Sequence, residues 1–149
     1  MKEAANTEIR ELPGGRREVL DPVRRRWVAL TPEEEVRQQT IHMLHERYGY
    51  PLELMQVEGT ITVNGRSRRC DIVAYGTDGR PQMIVECKRP DVPITQKVCD
   101  QACRYNTVLQ VPILLLTNGN RQIIIEIDYQ SRMLRQLPDI PLFLNNVNL

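Results

Sequence analysis

Asp71 stands at the head of one strand-like run, Arg69-Cys70-Asp71-Ile72-Val73-Ala74-Tyr75, and Glu86-Cys87-Lys88 closes the next, Gln82-Met83-Ile84-Val85-Glu86-Cys87-Lys88. Side chains alternate across a strand, so Glu86 and Lys88 share a face and Cys87 points the other way. The linker Gly76-Thr77-Asp78-Gly79-Arg80-Pro81 holds a strong Asp-Gly turn. So short a connection favours an antiparallel hairpin with Asp71 across from Glu86 or Lys88. Carboxylate oxygens are the hard donors that Mg²⁺ or Mn²⁺ prefers, and a cation with open positions binds a phosphate oxygen. An amine beside it can orient a water or, with a lowered pKa, help deprotonate it. These residue types at this spacing point to metal-assisted hydrolysis of a phosphodiester, with the backbone carbonyl of Cys87 as a third oxygen ligand. As an ordinary ion pair, Glu86 and Lys88 would contribute about 0 to 1 kcal/mol. Charge at the end of a run as apolar as Met83-Ile84-Val85 is costly without a partner or a role, which favours the chemical reading.

The elements that must carry these residues follow from local pattern. Thr31-Pro32-Glu33-Glu34 supplies an N-cap, a proline at the first helical position, acids in the first turn and Glu34 at the capping-box position, so a helix is predicted from about Pro32 to Tyr48. Val36, Thr40, Met43, Leu44 and Tyr48 fall on one side of it, and Gly49-Tyr50-Pro51 stops it. Strand-like Leu54 to Val57 and Thr60 to Val63 lead through Asn64-Gly65, the best short hairpin turn in the chain, into the Asp71 strand. After Pro90 and Pro93, residues Ile94, Val98, Ala102, Tyr105 and Leu109 recur at helical intervals up to about Gln110. Pro112 to Thr117 is a continuous apolar run of buried-strand type, Asn118-Gly119 turns, Gln122 to Asp128 is a second strand and Met133-Leu134 a further short one. The domain organisation expected is an arm over residues 1–31 with a hairpin about Asp21-Pro22, a core over 32–137 and a tail over 138–149 containing Asn145-Asn146.

With 149 residues and 41% hydrophobic content, the chain suits one α/β domain with a real core, a mixed central β-sheet flanked by helices. A net charge of +1 excludes a globally basic coat and leaves nucleic-acid contact to local patches, Arg24-Arg25-Arg26 and Arg66-Ser67-Arg68-Arg69. The arginine run near the arm is expected as a solvated face. Sparse aromatic residues argue against a base-stacking platform. No apolar stretch is long enough to cross a bilayer and no basic-then-apolar leader opens the chain, so a cytoplasmic location is expected. Cys70, Cys87, Cys99 and Cys103 read as buried thiols of a reducing compartment, because no C-x-x-C pair accompanies the i,i+4 spacing of the last two. His42 and His45, three apart, lack the spacing of a zinc-binding helix.

Several of these segments together resemble the PD-(D/E)xK nuclease superfamily, and in particular the N-terminal nuclease domain of type I restriction enzyme R subunits. The resemblance spans roughly residues 19 to 128. It is carried by Leu30-Thr31-Pro32-Glu33-Glu34 with Val36-Arg37-Gln38, by Arg69-Cys70-Asp71-Ile72-Val73, by Val85-Glu86-Cys87-Lys88, by Gln101-x-x-x-Tyr105 and by Leu116-Thr117-Asn118-Gly119. Cys70 stands where the superfamily's name has proline. The resemblance implies a restriction-endonuclease-like core in which Asp71 and Glu86 hold the divalent metal and Lys88 serves the attacking water. One acid of Glu33, Glu34 and Glu35, taken as Glu34, would complete the acidic cluster. Gln101 and Tyr105 match a motif that accompanies this core in restriction and RecB-like nucleases, where they would contact the DNA backbone or brace Lys88.

The activity implied is a Mg²⁺- or Mn²⁺-dependent DNA endonuclease. No G-x-x-x-x-G-K-[ST] phosphate loop is present, so an ATP-driven motor or a specificity subunit is expected as a separate chain. Two other expectations stand beside it: a catalytically idle DNA-binding or interaction module of the same fold, and a structure-specific nuclease resembling Holliday-junction resolvases, which would require a homodimer. RNA is a lesser expectation than DNA, and no membrane partner is expected.

Overall fold

The computed structural model describes residues 7–144. Three short strands, β1 (Ile9–Leu12), β2 (Arg16–Asp21) and β3 (Arg26–Ala29), form an antiparallel sheet in that order. The hairpin expected about Asp21-Pro22 is the β2–β3 turn, and β1 adds a strand to it. Helix α1 (Pro32–Tyr48) follows, with Thr31 Oγ1 accepting the backbone N–H of Glu34 and Gly49 closing the helix at φ 78°. That positive φ is the left-handed cap that glycine takes without a Cβ penalty.

A six-stranded mixed sheet makes the body: β4 (Met55–Val63), β5 (Arg66–Tyr75), β6 (Pro81–Cys87), β7 (Ile113–Thr117), β8 (Gln122–Asp128) and β9 (Met133–Leu137), neighbours in that order. Only β6 and β7 run parallel. Helix α2 (Gln96–Leu109) lies between them in sequence, as a parallel pair requires a crossover. The β4–β5 turn has Asn64 at φ 51° and Gly65 at φ 77°, the two positive values that a tight hairpin twisted like its strands demands. Where two strands were expected before that turn, one continuous β4 is found, because Glu58 takes φ 53° and bends the strand instead of ending it. Asp71 lies inside β5, not at its head, since pairing with β4 extends that strand back to Arg66.

Each helix covers one face of the sheet. On the α1 side Val36, Ile41 and Leu44 pack with Ile72, Ala74, Met83, Val85, Cys87 and Leu115. On the α2 side Cys99, Ala102 and Leu109 pack with Cys70, Val73, Ile84, Leu114 and Leu116. The first turns of α1 bury Glu34, Arg37 and Gln38 beside Val36, so its inward face is mixed there and mainly apolar further on. The four cysteines are free thiols, three of them buried. Among the described residues no helix is long and apolar enough to cross a membrane. Residues 138–144, expected as part of a tail, dock on the end of α1. Tyr48 donates to Asp139 Oδ1 at 2.7 Å, Tyr50 to the Pro141 carbonyl at 2.7 Å, and the Phe143 N–H to the Tyr48 carbonyl at 2.8 Å. Asn145 and Asn146 lie outside the described residues.

Leu115 in β7 is fully buried, whereas Leu134 in β9 is exposed. Leu115→Ala is expected to lower unfolding free energy by about 3 kcal/mol and Leu134→Ala by less than about 0.5 kcal/mol, measured by urea denaturation.

Candidate active site

The β5–β6 ladder ends at the pair Ile72 and Val85. Beyond it, the Cys87 N–H, two residues past Val85, donates to Asp71 Oδ2 at 2.8 Å. A side chain thus takes the place of a backbone carbonyl, satisfying the donor and fixing the Asp71 carboxylate against β6. The same register, continued, sets Asp71 opposite Glu86. Strand alternation breaks here. Cys70 belongs to the α2-side core and Ile72 to the α1-side core, as do Ile61 and Val57 of β4 on either side of Glu58. The ladder between β4 and β5 correspondingly skips the Glu58 and Asp71 positions. This paired bend lets Asp71 meet α1 while touching the β6 backbone.

Glu86 is buried at 9% exposure. Burial, with the neighbouring charge of Asp71, pushes its carboxyl up to about 7, against the opposing pull of Arg68 and Lys88. Arg68 Nη2 lies 2.7 Å from Glu86 Oε1, within ion-pair distance. The pair is poorly aligned for a hydrogen bond, and Glu86 Oε1 and Arg68 Nη1 are both buried without a hydrogen-bond partner. Behind Arg68 stands Tyr105 of α2, whose ring centroid is 4.5 Å from the guanidinium carbon. Lys88 follows the end of β6, and its N–H donates to the Thr117 carbonyl at 2.8 Å, which ties its backbone to β7.

Glu34 reaches the site through arginine. Arg37 donates from Nη1 to Glu34 Oε1 and from Nη2 to Asp71 Oδ1, both at 2.9 Å, with Glu33 at 3.6 Å and Glu58 at 3.8 Å. Burial works against charge on Arg37, but the hydrogen bond to Asp71 and the charges of Glu34 and Asp71 more than offset it, so its pKa is raised. Arg24, from the β2–β3 turn, contacts Asp21, Glu34 and Glu58. Gln38 adds a hydrogen bond to Asp21 Oδ2 at 2.8 Å. Arg24, expected on a solvated face, is therefore turned inward, its side chain 11% exposed, because Asp21 would otherwise be a buried carboxylate without a cation. For the same reason the Glu34 side chain serves the arginines and not a capping box, and the Thr31 N–H donates to the Ala29 carbonyl instead.

Among the described residues no three of the His, Cys, Asp and Glu side chains stand together as a metal cage. The Asp71–Glu86 pair nonetheless fits a divalent cation. It offers hard oxygen donors, one of them buried without a hydrogen bond among the described residues, and a carboxyl whose ionisation is held back by burial and by the neighbouring charge of Asp71 in spite of Arg68. Glu34 does not share that pair directly, since it meets Asp71 across Arg37. Gln101 is exposed on α2, four residues before Tyr105, which is half-exposed. His45 Nδ1 contacts the Tyr50 carbonyl at 2.9 Å. Arg37, Asp21 and Glu58 are site residues to which the sequence reading gave no role, and Arg24 and Arg68 were expected only as members of basic patches. The signal for one of them was present: Arg37 stands one helical turn after Glu33 and Glu34, on the face of the apolar stripe.

Residues 32–141 match the family model described as "Type I restriction enzyme R protein N terminus (HSDR_N)". No curated protein matches the chain in sequence. Among solved structures, the chain is similar to a fragment assigned to an HsdR subunit of a type I restriction enzyme from Vibrio vulnificus YJ016, at 23% identity and TM-score 0.46, over 66% of this chain and 21% of that one. It is also similar to a protein assigned as a nuclease of the DUF820 group from Anabaena variabilis ATCC 29413, at 11% identity and TM-score 0.48, over 89% of this chain and 84% of that one. The chain thus spans about a fifth of the Vibrio chain. With both TM-scores under 0.5, the functional reading rests on the family match and on the side chains themselves.

Two outcomes follow from this geometry. Below pH 4.5 Glu86 is protonated folded or unfolded. Between 4.5 and about 7 the folded state holds the extra proton, so Glu86 lowers stability as pH rises, by at most about 3 kcal/mol above pH 7. In EDTA, Glu86→Gln should match wild type near pH 4.5 and exceed it in melting temperature at pH 8, a gap that Mn²⁺ narrows by stabilising wild type. A gap that does not change with pH contradicts the assignment. Arg37→Ala, which strips a buried guanidinium from Glu34 and Asp71, should cost about 3 to 5 kcal/mol by chemical denaturation.

Proposed function

The chain belongs to the family of type I restriction enzyme R protein N termini, a restriction-type nuclease domain, and on that premise we propose that it is a metal-dependent DNA endonuclease acting through Asp71, Glu86 and Lys88. The observation that carries this reading is the Asp71–Glu86 pair: two carboxyl groups on opposed positions at the sheet's bend, one pushed up to about 7, with a lysine two residues on. In this reading Asp71, Glu86 and the Cys87 carbonyl hold Mg²⁺ or Mn²⁺, which when bound supplies Lewis-acid polarisation of the phosphate and stabilisation of the leaving oxygen. The chain's own groups do the positioning. The Cys87 N–H and Arg37 hold Asp71 from two sides, so its carboxylate needs little reorganisation before the reaction. Lys88, close enough for its charge to act on Glu86, orients the attacking water or accepts its proton. Tyr105, stacked on Arg68, holds that guanidinium at Glu86, and Gln101, exposed one turn earlier on α2, is open to contact the DNA backbone. DNA, together with separate motor and specificity subunits, completes the set of partners.

A second reading has its own support. Arg37 on Asp71 and Arg68 on Glu86 already neutralise both carboxylates, as suits a DNA-binding module that no longer turns over. One assay separates them: supercoiled plasmid and single-stranded DNA incubated with Mg²⁺, Mn²⁺ or EDTA. Wild type is expected to cleave with metal only, and Asp71→Ala and Lys88→Ala, folded by circular dichroism, to lose at least about 100-fold in rate. Retained binding with no cleavage by wild type under either metal selects the second reading.

A further inference from the structure

On the α2 side of the sheet, next to Glu86, Arg66, Ser67, Arg68, Tyr105 and Leu109 line a cleft of about 340 Å³. Among the described residues no carboxylate lines it. The ion pairs of this stretch among the described residues are Arg68 with Glu86 and Arg69 with Glu58, which leaves the exposed Arg66 guanidinium for a ligand. Arg68 lines the cleft, and its Nη1, buried with no hydrogen-bond partner among the described residues, gains one on turning toward an anion there while Nη2 stays by Glu86. Arg66 and Arg68 are two apart on one strand and face the same side. Tyr105 is 50% exposed, and Arg68 covers one part of its ring.

Two guanidinium groups with a half-open phenol ring match a phosphate carrying a sugar and a base. The cleft volume is near the low end for small-molecule sites, about the scale of one nucleotide unit. Along β5, Arg68 is three residues from Asp71, roughly 10 Å at strand rise. That distance is of the order of one to two backbone phosphates. We propose that this cleft is a subsite for a backbone phosphate of the nucleic-acid strand flanking the bond at Asp71 and Glu86, with Arg66 and Arg68 on the phosphate oxygens and Tyr105 against the adjoining sugar or base. The identity of the strand rests on the nuclease reading, while the subsite is tested by binding alone.

The test is fluorescence anisotropy of a labelled single-stranded oligonucleotide with the full chain in EDTA, where no cleavage occurs. Arg66→Glu is the informative variant, because the residue is exposed and outside the carboxylate pair. Arg80→Glu, the same charge change on the β5–β6 turn, is the control. Arg66→Glu should weaken binding about tenfold and lower the salt slope by about one, with Arg80→Glu within about twofold of wild type. Tyr105→Ala should weaken binding without changing the slope, and an oligonucleotide with neutral methylphosphonate linkages should bind poorly to wild type. Equal losses from Arg66→Glu and Arg80→Glu, or none from Arg66→Glu, overturn the subsite. Calorimetric binding of inorganic phosphate that needs Arg66, with oligonucleotide binding unaffected by Arg66→Glu, overturns the strand assignment in favour of a free anion. Binding through Arg66 by a protein that cleaves nothing under Mg²⁺ or Mn²⁺ upholds the subsite and sinks the nuclease reading. Cleavage with Arg66→Glu binding normally does the reverse.

Discussion

A guanidinium can be buried only if oxygen atoms surround it, and Arg37 shows how far that requirement reaches. Its two amino nitrogens are held by Glu34 of its own helix and by Asp71 of the central sheet, with Glu33 and Glu58 further off. Glu34 then meets Arg24 from the β2–β3 turn, and Arg24 meets Asp21. Each charge is tolerable only because of the next. The result is a continuous chain of ion pairs from the N-terminal three-stranded sheet, through the first turns of α1, to the strand that carries Asp71. The apolar half of α1 packs on the sheet by area burial, which is non-directional. The polar half sets where α1 sits relative to Asp71, because charge-assisted hydrogen bonds have fixed lengths and directions.

The second constraint is the bend shared by β4 and β5. A regular strand would send Asp71 to the face of Val73, away from α1. The change of face at Asp71, opposite Glu58 at φ 53°, turns its carboxylate toward Arg37 while leaving Oδ2 to the Cys87 N–H. A non-glycine residue with positive φ costs about 1 kcal/mol or more. Ion pairs of the Glu58 carboxylate with Arg24, Arg37 and Arg69 help offset it. The bend is therefore held by the same charges that it brings together.

On the other face, the parallel pairing of β6 with β7 requires the α2 crossover, and α2 brings Tyr105 over Arg68. Arg68 in turn approaches Glu86, so the two carboxyl groups of the candidate site are each attended by an arginine from a different direction. Asp71 is neutralised from the α1 side and Glu86 from the α2 side, and the site lies where the two cores meet the end of the β5–β6 ladder. Glu86 has the poorer arrangement, with an oxygen lacking a hydrogen bond and its ionisation held back. A divalent cation would relieve both.

Local pattern alone was enough for much of this molecule. The Thr31-Pro32 cap, the Asn64-Gly65 and Asp78-Gly79 turns and the isoleucine-rich run at Gln122 to Asp128 specify their elements through backbone sterics and burial, which act over a few residues. The hairpin spacing that sets Asp71 against Glu86 was legible for the same reason, since a short turn leaves little choice of partner strand. What only the tertiary structure decided is where the charges go. Arg24 reads as one of three arginines on a loop, yet its partners are Asp21, Glu34 and Glu58. Glu34 reads as a helix-capping acid, and Arg68 as part of a surface patch. Coulombic pairing depends on through-space distance and on the exclusion of water, and both exist only once the N-terminal sheet, α1 and the bent β4–β5 hairpin have closed around one another.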